Sequence, residues 1–557
     1  MKLKSIVYVL LAGCVTFLAS CSGKNANIPV PKDSGFVVHI DGASLNSKLS
    51  WDEIKKSEWY TIASEEVKDD LHKKILDNPE ASGIDVKSDA FIFLKVAGSN
   101  SYIGFTCSIK DEKAFAAFIT KTTENKPIEK KGELSVVRLG EAALTWSSKR
   151  VVIMGSSPTQ NFDMEGSGAY KNRQPVSEDS LIKFASSIYE LKTSESMGSD
   201  DRFVDMMKEK GDAHFWVNAG NMYGNALPAV LSLTKASTLF EGNATASTLN
   251  FEDGKINIDA KSYYNKELAE LYKKYSAKNI DEAMLKKIAS SNVAAVVAMN
   301  YPPEGLKAFV SLLGVDGLLN VFLADANYSL DDFIKANKGD LMLSVSDFSM
   351  GPKEITVGTG KDAYTYTTTK PEVKVLFATS VNNKIAFQKL VDMLSEQLKE
   401  KAHMGDEMAG MVSYKLLEDW FVAGNDSVQV NSFSTTNTDQ PFIKKISGHP
   451  MGGYLDIQKL ISGARPSMHG DSTFSKIADE SLKFWQDIIF TGGDSKGGAT
   501  ASHIEINLVD QKTNSLKQLN NYLGVMARIF REREKWNSNR DFEEKVIIDT
   551  VKAPAAE

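Results

Sequence analysis

The chain has 557 residues, with 65 Lys+Arg against 72 Asp+Glu and a formal charge of −7. That length suits two to four domains, and 42% hydrophobic with 25% charged residues is an ordinary globular composition. The mild acidity and the absence of any basic block exclude nucleic acid as an expected partner.

In chain order, Lys2 and Lys4 form a basic start, and Ile6 to Phe17 is an apolar run of signal-peptide length, too short to span a bilayer comfortably. Leu18-Ala19-Ser20-Cys21 follows and resembles the lipobox of bacterial lipoproteins. The resemblance implies that the Cys21 thiol takes a diacylglyceryl group before cleavage in front of it. Leu11-Ala12-Gly13-Cys14 matches the same pattern but would leave Val15, Phe17 and Leu18 on the mature end, so Cys21 is preferred. By resemblance to enteric lipoproteins, Ser22 after the cysteine implies sorting to the outer membrane, and the stretch to Asn27, without the acids of known surface-export signals, implies its periplasmic face. Residues 1–20 thus read as a signal peptide and 21–35 as a tether stiffened by Pro29 and Pro31.

Phe36 to Ile40 reads as a strand, and Ser44 to Trp59 as helical. Ala90 to Val96 and Tyr102 to Ile109 form a hairpin, and Asp111 caps a helix carrying Phe115, Phe118 and Ile119. Leu134 to Leu139, Ala142 to Trp146 and Arg150 to Met154 are further strands, and Pro158 to Pro175 is irregular. Ser177 caps a helix; Phe203 to Lys210 is another; His214 to Val217 is a strand. Ala244 to Phe251 and Lys255 to Ser262 make a hairpin across Asp253-Gly254, followed by a helix from Leu268.

The order then recurs, with strands at Val293 to Met299, Leu341 to Val345 and Val373 to Val381 and a polar insert at Gly351 to Lys370. Ala386 to Val391 is helical, Trp420 to Val422 and Val428 to Val430 read as strands about an Asn425-Asp426 turn, Tyr454-Leu455 and Ile504 to Leu508 as strands, and Leu516 to Phe530 as a helix. Phe105 to Ile119 lies on Phe377 to Val391 without gaps, so that Phe115 meets Phe387 and Cys107 meets Thr379. Ile256, Ile258, Leu268 and Leu271 likewise meet Ile504, Ile506, Leu516 and Leu519. The expectation is an α+β chain of largely antiparallel sheets packed with helices, in two similar halves from internal duplication, at 36–278 and 279–536, with a charged tail at 537–557.

No catalytic constellation emerges. His39, His72, His214, His403, His449, His469 and His503 are scattered, with no metal-ligand spacing, so neither metal nor cofactor is expected. His39 and His214 sit in apolar strands and read as structural. Cys107 reads as a small strand residue rather than a nucleophile. Gly492-Gly493-Asp494-Ser495-Lys496-Gly497-Gly498 departs from the phosphate-loop order and reads as a turn. Ser180-Leu181-Ile182-Lys183 lacks the Lys-Thr-Gly companion of penicillin-binding enzymes. Asp331-Asp332 and Glu543-Glu544 read as helix ends and solvated faces. Trp51, Trp59, Trp146, Trp216, Trp420, Trp485 and Trp536 could stack sugars, but most lie in apolar runs that suit core packing.

Asp41-x-x-Ser44-Leu45-x-x-Lys48 after the first strand, with Gly83-Ile84-Asp85 and Asp89-Ala90-Phe91, resembles a domain-of-unknown-function family of Bacteroidota envelope lipoproteins. That resemblance brings no activity and no catalytic residues. The expected function is a non-enzymatic binding or scaffold protein, anchored to the membrane by its N-terminal lipid and engaging an envelope protein or glycan. A glycan-capturing lipoprotein beside an outer-membrane transporter, and a hydrolase with an unfamiliar site, are the alternatives.

Overall fold

The computed structural model describes residues 28–551 apart from 68–69, 98–99, 159–175, 224–233, 325–326, 358–362, 402–411, 469–471 and 497. The leader with Cys14 and Cys21, the polar stretch after Pro158, His403, His469 and the end from Lys552 lie outside the described residues.

The chain is α+β, with one antiparallel sheet of 18 strands among the described residues. The first ten strands are β1 (Phe36–Ile40), β2 (Ala90–Ala97), β3 (Asn100–Ser108), β4 (Glu129–Lys131), β5 (Leu134–Arg138), β6 (Ala142–Trp146), β7 (Arg150–Pro158), β8 (Ala213–Asn218), β9 (Ala244–Glu252) and β10 (Lys255–Tyr263). The remaining strands are β11 (Val293–Asn300), β12 (Asn337–Val357), β13 (Tyr364–Val381), β14 (Ser413–Leu416), β15 (Trp420–Gly424), β16 (Met451–Asp456), β17 (Trp485–Lys496) and β18 (Ala499–Leu508).

The pairings divide the sheet at its centre, where β10 lies beside β18. Outward from β10 the order is β9, β8, β1, β2, β3, β7, β6, β5 and β4. Outward from β18 it is β17, β16, β11, β12, β13, β15 and β14. The two runs follow the same path through the chain. At the seam Ile256 faces Ile506, Ile258 faces Ile504, and Asn257 faces Glu505 between them.

The helices that matter for the site are α1 (Gly42–Lys48), α2 (Glu58–Glu66), α3 (Glu112–Thr122), α4 (Lys266–Lys274), α5 (Pro303–Leu312), α6 (Leu330–Ala336), α7 (Lys384–Lys401), α8 (Ser427–Ser432) and α9 (Ser515–Val551). α3 begins where Asp111 accepts hydrogen bonds from the N–H groups of Lys113 and Ala114, and it buries Phe115, Phe118 and Ile119. α9 returns across the first half: Trp59 Nε1 donates to Asn520 Oδ1 at 2.8 Å, and Lys517 reaches Glu53 at 2.6 Å. It continues as helix to Val551, through residues whose charge density suggests a tail.

In the first half both sheet faces are packed. One carries Phe91, Phe93, Met154 and Trp216; the other carries Cys107, Phe115, Leu144 and Trp146. In the second half one face packs Val296, Met342, Leu376, Val422 and Ile489. Fully burying each such side chain stabilises by about 1.5–3 kcal/mol. The other face holds a smaller cluster, Ala336, Val381, Phe387 and Val391, and the candidate site lies beside it.

Three readings need correction. Gly351 to Lys370 is no polar insert: β12 and β13 stay paired out to Val357 and Tyr364, because Thr-Tyr-Thr-Thr-Thr is strand-forming sequence. Val428 to Val430 is helical, since Asp426 caps α8 through the Gln429 N–H and turns Gln429 and Val430 inward. Trp485–Lys496 is a central strand: the sequence reading gives the apolar run Ile488-Ile489-Phe490 no element, and Gly492 to Lys496, read as part of a turn, continues the strand.

Candidate ligand-binding cavity

The family-like motif residues are structural. Asp41 caps α1 by accepting from the Ser44 N–H at 2.9 Å. Ser44 Oγ and Lys48 Nζ each lie 2.5 Å from a carboxylate oxygen of Asp212, which is fully buried and also accepts from the Phe251 N–H at 2.6 Å. These bonds clip α1 to β8 and β9. Gly83 has φ +81°, and a Cβ there would lie 2.3 Å from the Asp111 carbonyl oxygen, so glycine is required where the chain approaches α3.

The histidines and cysteine follow. His39 and His214 face each other across β1 and β8 with Nδ1 atoms 3.0 Å apart; His39 Nε2 is 3.2 Å from Asp89, and His214 Nε2 is 3.0 Å from the Glu209 carbonyl oxygen. Burial, and then the neighbouring His39, push His214 below the ordinary imidazole range. His449 pairs with Asp494 at 2.7 Å and His503 with Asp259 at 2.8 Å. Among the described residues no three His, Cys, Asp or Glu side chains gather as a metal site. Cys107 is buried beside Phe115 and Trp146, with no access for a substrate. Ser180 sits in the first turn of a surface helix, its Oγ 2.9 Å from that of Ser177. Asp331 and Asp332 occupy the first turn of α6, where Ser329 bonds Asp332.

The tryptophans are spent in packing. Trp146 and Trp216 are fully buried, and Trp51 and Trp59 pack around Leu49, Ile54 and Tyr60. Trp420 and Trp485 lie edge-on to Phe433 and Phe484. Trp536 has no described side chain.

A large concavity holds about 2160 Å³. A drug-sized site is roughly 300–1000 Å³. Its floor is the open face of the second half-sheet, from β18 to β14, eight strands in all. At about 4.8 Å per interval that run measures ~34 Å along the sheet. Side chains alternate: Leu376 and Ala378 point into the packed face, and Phe377 and Thr379 line the cavity. Tyr272 and Tyr275 at α4, Leu306 and Phe309 of α5, and Leu390 and Leu394 of α7 form the cover. Both halves therefore contribute, because α4 belongs to the first.

The walls are apolar in their electrostatics as well as their composition. Tyr301 stacks on Phe333, and burial followed by nearby Asp340 pushes its hydroxyl up to about 12. Burial and then Tyr264 raise Tyr272. The charged side chains among the described lining residues are Lys273 and Asp494. The glycine-rich stretch ends up here: the register of β17 shifts between Gly492 and Asp494, and Gly493 at φ +88° turns Asp494 towards His449 at the rim.

Sequence reasoning placed none of these residues in a site. Phe377, Phe387, Leu390 and Val391 carry the helix and strand periodicity of an ordinary core, and periodicity does not distinguish a packed face from one lining a cavity.

Residues 26–350 match the family described as Domain of unknown function (DUF4836). The chain belongs to that family. The match covers the first half and runs into β12, so most of the cavity floor lies in the DUF4836 chain beyond the matched residues. No curated protein matches. Among solved structures, crystal form III of TP0453 has a TM-score of 0.24 at 10% identity, covering 46% of this chain and 90% of that one. Crystal form I of the same protein has a TM-score of 0.21 at 9% identity, covering 45% and 87%. Likeness at that level carries no argument. Among the described residues no helix is long and apolar enough to cross a membrane.

Proposed function

We propose that this is a lipid-anchored envelope protein that binds an apolar long-chain ligand without transforming it. The observation that carries the reading is the cavity: large, long, aromatic- and aliphatic-lined, with two charged side chains among its described walls. About ten methylenes buried there, at ~0.8 kcal/mol each, would supply ~8 kcal/mol, the scale of micromolar affinity. Among the described lining residues, Tyr272 and Tyr301 have their hydroxyls raised, chiefly by burial. Glycan capture draws no support from Trp51 and Trp59, whose indole N–H groups are engaged by Leu76 and Asn520.

The full-length protein, released gently from native envelopes, should carry long-chain lipid in native mass spectrometry. Leu341→Trp, which places an indole on the cavity floor, should keep the circular dichroism spectrum and lose at least about tenfold in lipid affinity, some 1.4 kcal/mol. A lipid-free wild-type protein, or a folded Leu341→Trp that binds equally, refutes the reading.

The anchor is proposed at Cys21, on the periplasmic face of the outer membrane. Cys21→Ala should abolish radioactive fatty-acid labelling, and Cys14→Ala should not. Label on the Cys21→Ala protein sinks this choice of cysteine. The two halves are further read as copies of one unit, supported by their common strand path and by the seam centred on Asn257 and Glu505. An experimental structure whose halves fail to superpose strand for strand would contradict that.

A further inference from the structure

We infer that the ligand is a single-headed amphiphile with an uncharged, hydroxyl-bearing head, held in one direction: head against β17 and β18, chain end beneath α7. This rests on the cavity being a long-chain site, and adds the polarity of what enters it.

The two ends of the cavity differ chemically. At the β18 end the lining is Tyr264, Asp494, Ser495, Thr500 and Ser502. Tyr264 and Thr500 already share a hydrogen bond at 2.8 Å, leaving hydroxyl lone pairs and protons that can take a further partner. At the β14 end, seven strand intervals away, the lining is mainly Phe377, Phe387, Leu390, Leu394, Val412 and Phe421, with Tyr414 and Ser395 the hydroxyl-bearing side chains there. Between them the sheet offers Met299, Leu341, Met451 and Phe490, together with Asn300, Asn337 and Thr379, whose side chains are hydrogen-bonded within the protein. A polar head dragged to the β14 end would lose its hydrogen bonds, and an alkyl chain end placed among the hydroxyls would gain nothing there. One direction is therefore strongly favoured.

Head charge follows from the same residues. Asp494 is matched by His449 at 2.7 Å, and Lys273 stands on α4 on the covering side. No cluster of Arg or Lys lines the hydroxyl end among the described residues, so a phosphate or carboxylate would enter without the cations that usually hold it. Hydroxyls suit a glycerol or sugar alcohol head. The ~34 Å run is long enough to hold one chain lengthwise, since one bilayer leaflet's hydrocarbon is ~15 Å deep, half of roughly 30 Å.

The test uses the full-length protein and two photoreactive monoacylglycerols, one with a diazirine at the chain terminus and one with it on the glycerol. Peptide mapping should place the terminal adducts in Phe377 to Val391 and Val412 to Phe421, and the head adducts in Asp494 to Ser502. Excess unlabelled monoacylglycerol should erase both. Specific adducts in the reverse order, or evenly spread, overturn the orientation and leave the long-chain reading standing. Adducts that excess ligand does not erase overturn both. Thr500→Val with Ser502→Ala should weaken monoacylglycerol about tenfold and a headless alkyl diazirine less than twofold. Equal losses for both probes, or a fatty acid or phosphatidylglycerol that binds tenfold tighter than monoacylglycerol, overturn the uncharged-head assignment.

Discussion

The two halves share a strand path and differ in what lies on one face of it. In the first half α3 presses Phe115 and Phe118 onto the sheet, and Trp146 closes the space with its ring 5.6 Å from that of Phe115, edge to face. In the second half α7 brings Phe387 to the corresponding place, but the register sets the partly buried Leu416 of β14 where β6 has the fully buried Trp146, and the 56% exposed Tyr414 where β6 has the buried Leu144. The same architecture yields a solid core on one side of the seam and a cavity on the other. The difference teaches that a sheet and helix frame held firmly by its other packed face can leave the second face for a ligand.

The comparison can be broken most forcefully at the matched phenylalanines. Phe115→Ala opens a packed core and should cost about 3–5 kcal/mol, whereas Phe387→Ala borders space already empty of protein atoms and should cost about 1–2 kcal/mol less. Urea midpoints of the two variants measure this, and equal shifts would show that the second face is as solid as the first. Asp212 tests the first half's rigidity from the other side. Asp212→Ala leaves Lys48 and Ser44 without their buried partner and should destabilise by about 3 kcal/mol, read as a lower thermal midpoint, while lipid binding in the second half is retained at permissive temperature. Joint loss of both would mean that the halves do not act separately.

The smallest effect concerns the tie between them. The Lys517 ammonium, then the Ser50 N–H and hydroxyl, hold Glu53 at about 2 against an ordinary 4.5. A carboxylate depressed on folding stabilises above its unfolded pKa, and that contribution fades as pH falls from 4.5 towards 2. Glu53 is well exposed, so Glu53→Gln should cost less than about 1 kcal/mol at pH 7. Its stability gap from wild type should close on acidification. A gap that is unchanged at pH 2.5 would assign the effect to the cap geometry rather than to charge.

Much of the frame was legible in the sequence because it is local. Phe36 to Ile40, the Asp253-Gly254 hairpin and the Asp111 and Ser177 caps are fixed by neighbours in the chain, and they stand where patterning places them. The strand at Val428 to Val430 failed because a capping aspartate outweighs β-branched propensity over so short a run. The long β12 and β13 arm was hidden by polar residues, which a two-stranded ribbon exposed on both faces tolerates. The cavity was illegible for a different reason. Its lining is apolar at the usual spacing, and only the three-dimensional count of what stands opposite Phe377 and Leu341 shows that nothing fills the space. The pairing of His39 with His214, 175 residues apart, was hidden likewise, although each was read as structural.

The most direct measurement is an experimental structure of the full-length protein taken from native envelopes without unfolding. The account predicts continuous elongated density on the second half-sheet, from Thr500 to beneath Leu394, and a first half packed solid around Trp146. A second half whose sheet face from Thr500 to Leu341 is closed by its own side chains would contradict it.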